Sequence, residues 1–244
     1  AVLPLFVIDP SMWGPAGRAK TAWLAATLRA LDASLDGRLV IRLGDPTDVV
    51  PRVAREVGAT SVHVSRENEP GGVERDRRVV AALREIGVEG VATGSPYAVD
   101  PGTVRTKGGT PFKVFTPFSR AWLKALEEDG FVIHRAPAPR GEPLPWLPLA
   151  EREWVDDGLG ELTADTRWPV GEAEASRRLH AFLDQAVLDY GETRDFPALA
   201  GTSVLSPYLA AGIISARQCV GALQQRLGYR PQSKAQPGFV WLNE

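Results

Sequence analysis

The chain has 244 residues, of which 44% are hydrophobic and 24% charged, the make-up of an ordinary globular protein and not of a collagen, a coiled coil or a disordered tail. Its 28 Lys and Arg stand against 30 Asp and Glu, a formal net charge of −2, which argues against coating nucleic acid by bulk charge and leaves only a local basic patch for such a role. A single cysteine, Cys219, excludes an internal disulfide framework.

The chain begins at Ala1 and runs at once into an apolar segment, with Leu5 to Ile8 expected as a buried strand. That segment carries Pro4 and is far too short to span a bilayer, and no signal-peptide pattern precedes it, so a cytoplasmic protein is expected. From Arg18 to Leu35, Trp23, Leu24, Thr27, Leu28 and Leu31 recur at helical spacing. Arg38 to Leu43 reads as a second strand, stopped by Gly44-Asp45-Pro46. Thr47 or Asp48 is expected to cap the next helix, which runs through Val49, Val50, Val53 and Val57 to Gly58. Ser61 to Val64 is a third strand, Val73 to Ile86 a charged amphipathic helix closed by Gly87, and Val88 to Ala92 a fourth strand. Strands alternating with helices over short loops point to a parallel sheet covered by helices, because parallel strands need crossovers. His63 then reads as a structural histidine of the sheet. Neither it nor Cys219, His134 or His180 sits at metal-ligand spacing.

Pro137, Pro139, Pro143, Pro145 and Pro148 crowd the stretch from Arg135 to Leu149, which reads as a long linker because proline can join neither a helix interior nor a sheet interior. Beyond it the pattern is helical: Gly171 to Leu188 with Ala175, Leu179, Phe182, Leu183 and Ala186 on one face, then Leu205 to Ala211, Ala216 to Leu227, and from Pro237 onward. The chain opens on a strand and closes where a helix begins, as a piece of a longer protein would.

No G-x-G-x-x-G, G-x-x-x-x-G-K-[ST], H-E-x-x-H or G-x-S-x-G motif is present. Phosphate binding rests instead on Gly201-Thr-Ser-Val-Leu-Ser-Pro-Tyr-Leu209, where small hydroxyl residues precede a helix with Pro207 in its first turn. On spacing alone, ordinary helix capping is the favoured reading of the same residues.

Four segments, in order, resemble the DNA photolyase/cryptochrome family. Leu3 to Pro10 is similar to its second strand. Val114-Phe-Thr-Pro-Phe118 with Trp122 matches its V-F-T-P-F-x-x-x-W stretch. Asp189 to Gly212 resembles its flavin-binding segment, and Val240-Trp-Leu-Asn-Glu244 resembles the opening of its W-L-N-E-L-x-W-R-E helix. The resemblance implies an α/β fold: a Rossmann-like parallel-sheet antenna domain over 1–130 with its first strand missing, a connector over 131–170, and a truncated all-helical FAD-binding domain over 171–244.

It implies that Tyr190, Thr202, Ser203, Val204, Leu205, Ser206 and Trp241 contact FAD, mostly at its phosphates. The family often has a basic residue at the position of Val204. Arg194 matches an arginine that contacts DNA phosphate, although the residues alone allow an ion pair with Asp195 or Glu192. Glu244 matches the glutamate that faces damaged bases. A carboxyl held protonated in a dry pocket can hydrogen-bond a pyrimidine carbonyl and stabilise the charge that arrives with an electron. Asn243 beside it has no assigned role.

The implied activity is light-dependent repair of cyclobutane pyrimidine dimers in UV-damaged DNA, by electron transfer from excited reduced FAD. The partner is duplex DNA, bound by a monomer with no membrane or protein partner, and a chain ending here is expected to be inactive by itself. The rival within the family is a cryptochrome-type blue-light photoreceptor. Outside it, the rival is a stand-alone nucleotide-binding α/β module. Glu69-Pro-Gly-Gly-Val-Glu-Arg-Asp76 resembles the E-P-x-G-x-x-R-D stretch of members whose antenna is 8-hydroxy-5-deazaflavin, less so of those using the folate methenyltetrahydrofolate. As bare residues, Glu74, Arg75 and Asp76 are a solvated helix face.

Overall fold

A continuous apolar run makes β1 of Leu5–Ile8, which pairs in parallel with β2 of Val40–Leu43, from Leu5 opposite Val40 to Ile8 opposite Leu43. In this computed structural model, residues 2–128, 168–228 and 238–243 are described. The short helix α1, Pro10–Trp13, and the long α2, Arg18–Ser34, provide the crossover between the two strands. Ile8, Leu28, Leu39 and Ile41 form the core between α2 and the strands, with Phe6, Trp13, Leu24 and Leu35 packed around them. The buried Asp32 carboxylate accepts the Leu39 amide at 2.9 Å and so fixes the return from α2 into β2.

The second strand-helix-strand unit repeats the plan. β3, Ser61–Ser65, and β4, Glu89–Thr93, pair in parallel from Ser61 opposite Glu89 to Ser65 opposite Thr93. Between them runs α4, Pro70–Glu85, and ahead of them α3, Pro46–Glu56. Ala54, Leu83 and Val88 make the second core, with Val50, Val62 and Val79 against it. The described strands therefore form two separate two-stranded parallel sheets, where the sequence suggested one sheet.

Two helix starts differ from expectation. α3 is capped by Asp45, not by Thr47 or Asp48: its carboxylate accepts the Thr47 amide at 2.8 Å and the Thr47 hydroxyl at 2.7 Å. Pro46 takes the first helical position, where it has no amide to leave unpaired. α4 begins at Pro70, ahead of Val73, for the same reason and despite Gly71 and Gly72. The absent side chain of Gly72 is where Glu67 folds back, accepting the amides of Asn68 at 2.7 Å and Glu69 at 3.1 Å.

The remaining helices are α5 (Phe115–Glu128), α6 (Glu172–Gln185), α7 (Tyr190–Thr193), α8 (Ser206–Ala210), α9 (Ala216–Leu227) and α10 (Phe239–Leu242). α6 buries the stripe Ala175, Leu179, Phe182 and Leu183, and α9 buries Cys219, Val220 and Leu223. Arg226 of α9 donates to the Asp184 carboxylate of α6 at 2.5 Å. Ser215 and Gln218 form a reciprocal capping box at the start of α9, and Gly228, at φ 60°, ends it.

The contacts do not divide at residue 130. Described residues 2–94 with 168–171 form an α/β unit, and 95–128, 172–228 and 238–243 form a helical unit. α5 belongs to the second because its Leu126 and Trp122 pack with Val220 and Ala216 of α9 and Leu242 of α10. The expected connector lies mostly outside the described residues, as do His134 and Glu244.

Candidate functional site

Helix α6 presents Phe182 to two aromatic residues from later in the chain. Its ring meets Tyr190 edge-on, with centroids 5.8 Å apart, and Trp241 at a tilt, 5.1 Å apart. Such edge and tilted pairings suit the ring quadrupole. Phe182 thus brings together α7 and α10, the elements carrying two of the residues singled out in the sequence. Glycine at 238 permits the approach of α10, whereas a side chain at 191 would make only ordinary contact. A Cβ on Gly191 would stand 3.5 Å from Val240, and Gly238, at φ 84°, lies where a Cβ would come within 2.7 Å of Leu223.

The hydroxyl-rich segment is laid against the end of α7. A Cβ on Gly201 would collide with the Thr193 hydroxyl and side-chain Cβ, so only glycine fits. Thr193 is itself held, its hydroxyl donating to the Asp189 carbonyl at 2.9 Å. Three residues on, Val204 adopts φ 52°, a left-handed conformation unusual for a β-branched residue. Leu205 returns to the right-handed region and is buried at 1% exposure, so it offers a backbone amide and an anchor, not a side-chain contact.

Thr202 and Ser206 are exposed and Ser203 is half-buried. No side chain caps α8, so the hydroxyls are not doing the capping that their spacing allowed. Among the described residues, the amides of Val204, Leu205 and Ser206 also donate no hydrogen bond. Left-handed then right-handed backbone turns successive N–H groups to one side, a concavity suited to an anion.

Behind this segment lies a charged support that the sequence reading did not single out. Glu174 of α6 accepts from Arg177 and from Arg178, each at 2.7 Å. Arg177 first, then Arg178, pull its carboxyl down to about 2. The Arg178 guanidinium stands 5.6 Å from the ring centroid of Tyr208, a fully buried residue of α8. Burial pushes the Tyr208 phenol up. The pattern E-x-x-x-R on α6 was visible as a helical ion pair, but its contact with Tyr208 is tertiary.

Arg194 lies 3.6 Å from the Asp195 carboxylate, the ion pair that its neighbours allowed, and 5.9 Å from the centre of the Tyr190 ring. Trp241 sits on α10 and Asn243 at its C-terminal end, while Glu244 lies outside the described residues. In the α/β unit, Arg75 pairs with Asp76 and Arg77 with Glu74, both at 2.7 Å along α4. His63 is exposed and shares a 3.0 Å hydrogen bond with the Ser61 hydroxyl. Among the described residues no cluster of side chains could hold a metal ion, and no helix is long and apolar enough to cross a membrane.

The helical unit thus holds the rings of Phe182, Tyr190 and Trp241 and an uncapped turn ahead of α8. The family model for DNA photolyase matches residues 1–142. A deoxyribodipyrimidine photo-lyase of Vibrio cholerae is 35% identical over 227 residues, covering 92% of this chain and 47% of that protein. An uncharacterized 31.6 kDa protein of Synechococcus is 32% identical over 255 residues, covering 100% of this chain and 87% of that one. The crystal structure of a bacterial class III photolyase from Agrobacterium tumefaciens superposes with a TM-score of 0.70 at 31% identity, over 90% of this chain and 46% of that chain. The chain belongs to the DNA photolyase family, and it spans about half the length of the named photo-lyases that it matches.

Proposed function

We propose that this chain serves light-dependent repair of cyclobutane pyrimidine dimers in UV-damaged DNA, with FAD held by the helical unit. The observation that carries the reading is the juxtaposition of the Tyr190–Phe182–Trp241 aromatic cluster on α6, α7 and α10 with the uncapped turn at Thr202–Ser206, seated on α7 through Gly201. The residues present fit the group. Thr202, Ser203 and Ser206 supply hydroxyls and Val204, Leu205 and Ser206 supply amides for a pyrophosphate, while Tyr190 and Trp241 supply rings for the rest of the ligand. When bound, reduced and photo-excited FAD supplies the electron that opens the dimer.

The chain's own residues position and polarise. Arg194 exchanges its partner Asp195 for a DNA phosphate. Glu244, held protonated, hydrogen-bonds a pyrimidine carbonyl of a lesion taken out of the stack, at low cost because a dimer is already poorly stacked. The α/β unit serves as the antenna, with 8-hydroxy-5-deazaflavin favoured at Glu69–Asp76 over the folate. The working form is a cytoplasmic monomer on duplex DNA.

The test is a visible absorption spectrum of the protein purified from its full-length gene, after incubation with FAD and gel filtration, followed by illumination with UV-irradiated DNA and a dimer count. Retained yellow colour with light-dependent loss of dimers is expected. Yellow protein that leaves dimers intact points to the blue-light receptor, and colourless protein overturns the flavin reading.

A further inference from the structure

We propose that Glu174 and Arg178 of α6 are positioning residues that hold the Thr202–Ser206 turn in its anion-binding shape, acting through the ring of Tyr208. The consequence for FAD rests on the reading above, whereas the positioning itself does not.

Helix α8 is too short to hold its own shape, and no side chain caps it. The left-handed Val204 just before it is a conformation that persists only where the surroundings impose it. Two constraints bracket the turn. On the upstream side, Gly201 is seated against Thr193. On the downstream side, Tyr208 is fully buried and packs its ring on the Arg178 guanidinium.

A long arginine side chain makes a fixed platform only if its own rotamer is fixed. Glu174 does this from one turn earlier on α6, in the favourable order of acid before base. Both side chains are largely withdrawn from water, Arg178 at 18% exposure and Glu174 at 14%. Arg177, at 65%, completes the carboxylate's partners from the solvent side. The guanidinium therefore meets both the carboxylate and the ring, where the cation–π attraction is strengthened by desolvation. It acts as a prop for the turn.

Hydrogen–deuterium exchange and flavin titration on the intact chain test this, with Arg178→Met as the disruptive variant and Arg178→Lys as the conservative one. Arg226→Met, which breaks the α6–α9 ion pair instead, serves as control. In Arg178→Met, the hydrogen-bonded amides of Leu209, Ala211 and Ile213 at and just after α8 should exchange about tenfold faster while those of α9 stay protected. Arg178→Lys should recover part of that protection, and Arg226→Met should leave Leu209, Ala211 and Ile213 unchanged. FAD affinity should fall about tenfold in Arg178→Met, while riboflavin, which lacks the phosphates, stays within about twofold.

Unchanged exchange at Leu209, Ala211 and Ile213, or a uniform rise that includes α9, overturns the proposal. So does equal weakening of FAD and riboflavin. A parent chain that binds neither flavin overturns the flavin reading alone, since the exchange comparison still decides the positioning. If Arg178→Met fails to fold, Glu174→Gln keeps the cation but releases its rotamer, and the same pattern at reduced size is expected.

Discussion

Substituting Ala for Gly201 tests whether the turn truly rests on α7. The added methyl would strike the Thr193 hydroxyl, lie 2.5 Å from the Thr193 Cβ, and come within 3.1 Å of the Thr193 carbonyl carbon. Rotating the threonine clears the hydroxyl at the expense of its 2.9 Å bond to Asp189, but no rotation moves a Cβ, so the backbone must shift. Overpacking of this kind costs about 1–3 kcal/mol. In a chain of this size each kcal/mol lowers the melting temperature by about 2–4 °C, giving a drop of roughly 2–12 °C.

Thermal unfolding followed by circular dichroism measures it. The decisive comparison is a double variant. Thr193→Gly removes both colliding side-chain atoms and should recover most of the loss when combined with Gly201→Ala, a coupling of about 1 kcal/mol or more. Thr193→Ser keeps the Cβ and should not rescue. A Gly201→Ala protein as stable as its parent, or a double variant no better than the sum of its parts, would refute the contact.

Ser215→Ala removes the reciprocal cap of α9 and should destabilise the helical unit by about 0.5–2 kcal/mol in denaturant titration. Glu174 is lowered from 4.5 to about 2, so its ion pairs contribute fully above its ordinary value and are lost as pH falls from 4.5 toward 2. Acid titration of stability should show that loss, and Glu174→Gln should flatten it. Cys219 is buried with its thiol lifted to about 11, so at pH 8 it should react with a thiol reagent far more slowly in the native protein than in denaturant. Equal rates would contradict its packing in α9.

How far the sequence shows this fold depends on whether the signal is local. Helix α9 is legible to the residue, because Ala216 follows a Ser215–Gln218 box and Leu227 precedes a glycine. The starts of α3 and α4 are less so, since Pro46 and Pro70 read as breaks while serving as first helical residues. α5 is hidden for a similar reason. Pro117 stands in its first turn among Phe115 and Phe118, which look strand-like until Leu123 and Leu126 find their core.

In the site, Tyr190 and Trp241 come from motif resemblance, and the spacing of hydroxyls marks the turn. What spacing cannot carry is contact across the fold. Phe182 reads only as a core residue, though it joins Tyr190 to Trp241. Gly201 gives no hint of Thr193, and Arg178 none of Tyr208.

The two parallel strand pairs have a consequence of their own. A four-stranded sheet has two outer rims, but two sheets of two strands, as found among the described residues, have twice as many. Parallel strands are ordinarily sheltered on both faces, yet Leu43 and Val64 stand nearly half open to solvent. Among the described residues such rims occur in the α/β unit, and what lies along them in solution governs how well the protein keeps to itself.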